Sequence, residues 1–206
     1  MRYRGHTPGA ETAPLTVLLR EVTRSHHLAL HEAPLMRRLF ATDYALAEYR
    51  THLESMLGVV EPLERAAERS IDAALAPHFA RRSKWLCEDL KAMGASSAEI
   101  GRVPRSHIAP ISPARVRGYL YVSLGSMLGG RIIAQRLRSA LGNAASIRFY
   151  ADGVGRADAR WTSFCTELDD GARADADETC AGAIATFHAF TQWLAPRPCE
   201  RDAALC

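Results

Sequence analysis

Four glycines fall inside one apolar helical segment, and that limits what this chain can build. Ser112-Pro113 reads as an N-cap and first helical position. A helix over roughly 113–141 follows and closes at Gly142-Asn143. Gly118, Gly125, Gly129 and Gly130 lie within it, three of them in Leu124-Gly125-Ser126-Met127-Leu128-Gly129-Gly130. Glycine costs a helix about 1 kcal/mol relative to alanine, so these three cost about 2–3 kcal/mol together. Two uses would retain them. Another helix packs closely on the face shared by Gly125 and Gly129, or something flat lies against bare backbone at a kink.

The rest of the chain is also helical in pattern. Leu15, Leu18, Leu19, Val22, His26, Ala29, Ala33, Met36 and Phe40 follow a 3–4 spacing from Pro14 to Phe40, with Pro34 as a kink or early end. Asp43 reads as the N-cap of a helix from Tyr44 to about Leu57, and Glu61-Pro62 as the start of another reaching Leu75. Further helices are expected over 80–94, about Ala157 to Leu168, and about Asp175 to Leu194, with a turn at Asp152-Gly153-Val154-Gly155. Ser96 or Ser97, with Glu99 behind, opens a short turn, and Arg102 to Pro113 is a loop with three prolines. No strand alternation and no internal repeat is present. The expected class is all-α: one domain over 14–195 with seven to nine helices, a loose arm over 1–13 and a disordered tail over 196–206.

At 206 residues and 48% hydrophobic, the chain can bury a sizeable core, and a net charge of +3 lacks the basic footprint of a nucleic-acid binder. Five cysteines at 87, 165, 180, 199 and 206 form no CxxC and suit a reducing compartment. The longest uncharged apolar stretch, Gly118 to Gly130, is shorter than the roughly 20 residues a bilayer requires. No apolar run follows Met1-Arg2-Tyr3-Arg4, so a soluble, cytoplasmic protein is expected, with no membrane partner.

His26, His27 and His31 share the first helix. His27 and His31 are four apart and can reach one metal, but Leu28 stands where a zincin would have glutamate. One neutral imidazole aimed into a cavity is the usual way to hold heme iron. Equally, His26 can be a satisfied core residue and the other two solvated. Periodicity favours His26 as the inward histidine.

Two stretches together resemble the heme oxygenase family, bacterial type. Leu19-Arg20-Glu21-Val22-Thr23-Arg24-Ser25-His26-His27, with Leu35-Met36 and Leu39-Phe40 behind it, is similar to the family's first helix. Tyr121 to Ile133, with its Gly-Ser-x-Leu-Gly-Gly core, is similar to the family's distal helix. Glu61-Pro62-Leu63-Glu64, Phe149-Tyr150, Trp161 with Phe164 and Leu168, and Thr186-Phe187 with Phe190 and Trp193-Leu194 support the resemblance over about residues 15–195.

The resemblance implies a multi-helix bundle with a glycine-kinked distal helix. It makes His27 the iron ligand, and Gly125, Gly129 and Gly130 the backbone against the porphyrin face. Ser126 stands where another branch of the family has an aspartate that orders distal water. Arg20 and Arg24 fall where the family has bases near the propionates. The propionate tyrosine falls nearest Leu120, flanked by Tyr119 and Tyr121, of which Tyr121 is the candidate; Arg156 and Arg160 approximate a late basic pair. Leu124 departs from a common glutamate. The implied activity is cleavage of heme b to biliverdin, CO and ferrous iron, using O2 and electrons from an external reductant such as a ferredoxin or flavoprotein reductase, with a biliverdin-accepting protein downstream. The alternatives are a heme carrier of the same fold, a helical interaction protein, a di-iron oxidase using Glu54, Glu61 and Glu64, and a thiaminase-like hydrolase with a cysteine nucleophile.

Overall fold

A computed structural model describes residues 13–151, 154–171 and 175–195, with side chains left aside at 154–157 and 171. Ala13 apart, the expected arm and tail lie outside the described residues, as do Asp152 and Gly153 of the expected turn. Among the described residues there are nine α-helices and no strand. They are α1 (Leu15–Glu32), α2 (Pro34–Arg38), α3 (Leu46–Glu68), α4 (Ser83–Ala92), α5 (Ser97–Arg102), α6 (Val116–Leu141), α7 (Arg148–Ala151), α8 (Val154–Gly171) and α9 (Ala176–Trp193).

Helix α9 organises the bundle. Its middle is built of small residues, so neighbours approach its backbone, and it packs on α1, α3 and α6. The closest approach is to α6. A Cβ on Gly118 would overlap the Thr179 carbonyl and the Ala183 nitrogen, and one on Gly182 would overlap the Arg115 carbonyl. The two glycines let these backbones touch. Helix α8 covers α6 on another side, while α4 and α7 close the far end beyond α3. Tyr49, Leu53, Leu57, Leu86, Leu90, Leu120 and Leu137 fill the core between α3, α4 and α6, each fully buried.

Several helix ends differ from the sequence expectations. Pro34 does divide the first segment, giving α1 and α2. Pro62, by contrast, starts nothing: α3 runs through it and stops at Glu68, short of Leu75. A proline frees the carbonyl four residues before it. Here that carbonyl belongs to Gly58, and the Ser106 N–H donates to it at 2.8 Å. The proline-rich loop thus repairs the helix it crosses. Asp43 is not an N-cap; it pairs with Arg38 at 2.5 Å, and Glu48 reaches back to accept from the Ala45 N–H at 2.8 Å. Ser112 leads into α6 through its carbonyl, which accepts from Arg115 and Val116, so the helix begins at Val116 rather than 113. Ser96 and Glu99 form a full capping box that opens a helix, α5. Val154 and Gly155 belong to α8, not to a turn. Helix α6 runs unbroken past its four glycines and ends at Gly142, φ +56°.

Candidate functional site

The buried face of α1 is Leu15, Leu19 and Thr23, a step of four. The next step lands on His27. Its ring meets the Phe187 ring of α9 edge-on at 5.9 Å and the His31 ring at 4.5 Å, and the residue is otherwise exposed. His26, which periodicity favoured as the inward histidine, is the more buried of the two, packed against His188 with ring centroids 4.8 Å apart, whereas His27 is exposed. The stripe through Leu18, Val22 and Ala29 is not the core face: Leu18 is 37% exposed and Ala29 is exposed as well. His27 Nε2 lies 3.3 Å from His31 Nε2. Partial burial, and then the charge on His31, hold the His27 imidazole below its ordinary pKa and so neutral. A neutral ring keeps a lone pair for a metal.

Helices α1 and α6 lean on α9 rather than on each other, and Tyr121 of α6 lies near Thr23 and Arg20 of α1. One and two turns beyond Tyr121 on α6 come Gly125 and Gly129. The glycines of this helix divide by what surrounds them. Gly118 is filled by α9. A Cβ on Gly130 would stand 3.0 Å from the Tyr150 carbonyl, so α7 packs there. A Cβ on Gly125 would touch the Trp161 ring at 3.4 Å. Gly129 has nothing within 4 Å and is exposed. Helix packing explains Gly118 and Gly130. It does not explain Gly129.

Ser126 is already engaged. Its hydroxyl donates to the Ser123 carbonyl at 2.7 Å and accepts from Arg82 Nη1 at 2.7 Å. Arg82 is buried, with its guanidinium 4.5 Å over the Phe149 ring and its backbone N–H donating to Glu64 at 2.6 Å. Glu64 also accepts from Ser83, and burial raises its carboxyl pKa despite these donors. Close by, His52 Nε2 and the Tyr150 hydroxyl are 2.5 Å apart, both buried, and burial pushes the His52 pKa down to about 3. Sequence reasoning missed Arg82 and His52. Glu64 and Tyr150 marked their neighbourhoods, but nothing local in sequence distinguishes a buried arginine from a solvated one.

The basic candidates lie near His27. Arg20, Arg24, His27 and His31 follow a spacing of 4, 3 and 4 on one face of α1, and both arginines are exposed. Arg20 acts electrostatically on Tyr121, which is half-buried against Trp161 with centroids 5.3 Å apart. Arg160 is half-buried on α8; the Arg156 side chain lies outside the described residues. Leu124, at 2% exposure, is core.

The carboxylates offered for a di-iron centre are engaged elsewhere: Glu54 with Arg50, Glu61 with Arg65 and Arg105, Glu64 with Arg82 and Ser83. Among the described residues no three His, Cys, Asp or Glu side chains gather around one point. Burial raises the pKa of Cys87, Cys165 (to about 11) and Cys180, so each stays a thiol, the opposite of an activated nucleophile. Two surface clefts, of about 340 Å³ around Arg65, Arg69 and Arg105 and about 570 Å³ between Arg50 and Trp193, do not include His27 or the α6 glycines. Among the described residues no helix is long and apolar enough to cross a membrane.

A family model described as heme oxygenase matches residues 13–196. Among solved structures, heme oxygenase from Leptospira interrogans is similar at a TM-score of 0.65 and 20% identity, covering 89% of this chain and 99% of that one. Heme oxygenase-1 from the cyanobacterium Synechocystis sp. PCC6803, solved in complex with heme, is similar at 0.66 and 19%, covering 88% and 91%. No curated protein matches the sequence.

Proposed function

The chain belongs to the heme oxygenase family, and from that premise we propose that it holds heme b between α1 and α6 and opens the porphyrin ring to biliverdin, CO and ferrous iron. The observation that carries this reading is the unfilled space at Gly129 in a helix whose Gly118 and Gly130 are covered by protein backbone. An alanine there would stabilise the helix at no packing cost, so the glycine leaves room that a ligand would use. Bound heme supplies the iron that activates O2 and the carbon that is oxidised.

The protein's own part is narrow. His27 offers a neutral imidazole nitrogen, braced on its α9 side by Phe187. Gly125 and Gly129 remove side chains where the macrocycle would lie, and Trp161 walls the slot beside Gly125. Arg20 and Arg24, on the face that carries His27, supply cations for two carboxylates, with Tyr121 and Arg160 as further candidates. Ser126, held by Arg82, presents a hydroxyl rather than an acid on the distal side, and Gly130 sets the backbone beside it. A hydroxyl orders water without delivering a proton as strongly as a carboxylic acid would. Residues 14–195 act as one helical unit in the cytoplasm. Electrons come from an external donor, a ferredoxin or a flavoprotein reductase, and biliverdin passes to an acceptor.

One observation favours a second reading, a heme carrier without ring opening: the Ser126 hydroxyl already has two partners. Titration with hemin followed by a reductant in air separates the two. The oxygenase reading expects a Soret band saturating at one equivalent, then its replacement by a biliverdin spectrum. A stable Soret band under turnover conditions leaves the carrier. No hemin uptake refutes both.

A further inference from the structure

His31 has no part in the heme site as drawn, yet its Nε2 stands 3.3 Å from the Nε2 of His27 with ring centroids 4.5 Å apart. We propose that the His27–His31 pair is a second, heme-independent metal site: a two-imidazole chelate for a divalent cation of the zinc class. Successive turns of one helix bring the nitrogens together, and both residues are exposed, so a hydrated ion reaches them.

The spacing suits a tetrahedral metal. Two imidazole nitrogens bound at about 2.0–2.1 Å in a tetrahedral arrangement stand about 3.3–3.4 Å apart. Neighbouring corners of a square plane with about 2.0 Å bonds would put them nearer 2.8 Å apart, the spacing a square-planar cupric site requires. The 3.3 Å separation, held by a hydrogen bond in the metal-free protein, is nearer the tetrahedral spacing. In the metal-free protein an Nε2–H of one ring faces the Nε2 lone pair of the other; on zinc binding that proton moves to Nδ1 of its own ring, or to solvent if the pair is charged, which frees both Nε2 lone pairs for the metal. Water completes the remaining two positions, since among the described residues no third His, Cys, Asp or Glu joins them. Arg20 and Arg24 on the same face oppose a dication. Binding therefore rests on the two nitrogens alone and is modest.

The site shares its first ligand with the proposed heme iron. A zinc-loaded chain has no free His27 nitrogen, so the two ligands exclude one another. The zinc site stands on its own geometry; the exclusion rests on the heme reading.

Zinc chloride titrated into the apo-protein against a chromogenic zinc indicator tests it. The expected result is one zinc per chain, weakened at least tenfold in both His31→Ala and His27→Ala, with helical circular dichroism unchanged. Cobalt(II) in place of zinc should give the visible absorption of a tetrahedral site, lost in the same variants. His31→Ala still takes up one equivalent of hemin, whereas zinc-preloaded wild type takes it up at least tenfold more slowly until a chelator is added. Zinc affinity unchanged in His31→Ala would overturn the site, because the ion would then be elsewhere, on thiols for instance. Hemin uptake through His27 that is indifferent to bound zinc would overturn the exclusion. Zinc uptake that follows this pattern in a protein that takes no hemin would support the site and sink the heme reading.

Discussion

Replacing Gly129 by alanine separates a residue kept for packing from one kept for a ligand. The added methyl meets nothing within 4 Å in the free protein. Alanine in place of glycine in a helix interior gains about 0.5–1 kcal/mol, partly by restricting the unfolded chain. With no clash to subtract, the apo-protein should be stabilised by about that amount. In a domain of this size it corresponds to a midpoint increase of about 1–4 °C. The same methyl projects toward the place proposed for the porphyrin, so hemin affinity and the rate of ring opening should both fall, by tenfold or more. Thermal melts followed at 222 nm, alongside hemin titrations of the same preparations, measure both quantities. Gain of stability with loss of heme is the signature of a ligand glycine. A destabilised Gly129→Ala protein would mean that protein atoms fill the space. A stabilised one with wild-type hemin affinity and turnover would mean that no macrocycle lies there, and either result refutes the reasoning.

Gly118→Ala should behave in the opposite way: its methyl runs into α9 backbone, so the helices must part, and a loss of about 2 kcal/mol or more is expected in urea melts. His52 carries a pH dependence of definite sign. Its folded pKa of about 3 lies below the unfolded value near 6.5, so the unfolded chain binds the proton that the folded chain refuses. The stability it contributes is complete above pH 6.5 and falls between there and pH 3, approaching about 1.4 kcal/mol per pH unit. Urea midpoints between pH 7.5 and 5 should show this slope, and His52→Gln should flatten it. Ser126→Ala leaves Arg82 short of one acceptor in a buried site, at a cost of about 1–3 kcal/mol. Hemin uptake should persist in that variant while ring opening slows; an unaltered rate would remove Ser126 from the distal chemistry.

The class of fold was legible because helix signals are local. The capping box at Ser96 and Glu99, the stop at Gly142 and the break at Pro34 all appear where the residues indicate. The errors came where a distant part of the chain intervened. Pro62 looked like a helix start, and only Ser106, forty-four residues later, makes it tolerable inside one. Asp43 has the chemistry of a cap, but Arg38 takes it. The histidines teach the same lesson. A stripe drawn through Val22 and His26 and one drawn through Leu19, Thr23 and His27 are both compatible with a 3.6-residue period. Both stripes meet α9, His26 against His188 and His27 against Phe187, and those partners are invisible from α1. The glycines were recognised as a group, yet their separate duties depend on which helix lies opposite each. Arg82 lay wholly out of reach, since its burial depends on Glu64, Ser126 and Phe149 meeting around it.

The central claim is that the His27 imidazole is the protein's ligand to heme iron. Electron paramagnetic resonance of the ferrous nitrosyl complex tests it most directly, because a nitrogen opposite the nitric oxide splits the signal. The account expects that splitting in wild type, its change from three lines to two when histidine is labelled with nitrogen-15, and its loss in His27→Ala with recovery on adding free imidazole. The same labelled-histidine splitting in His27→Ala without added imidazole would contradict the account.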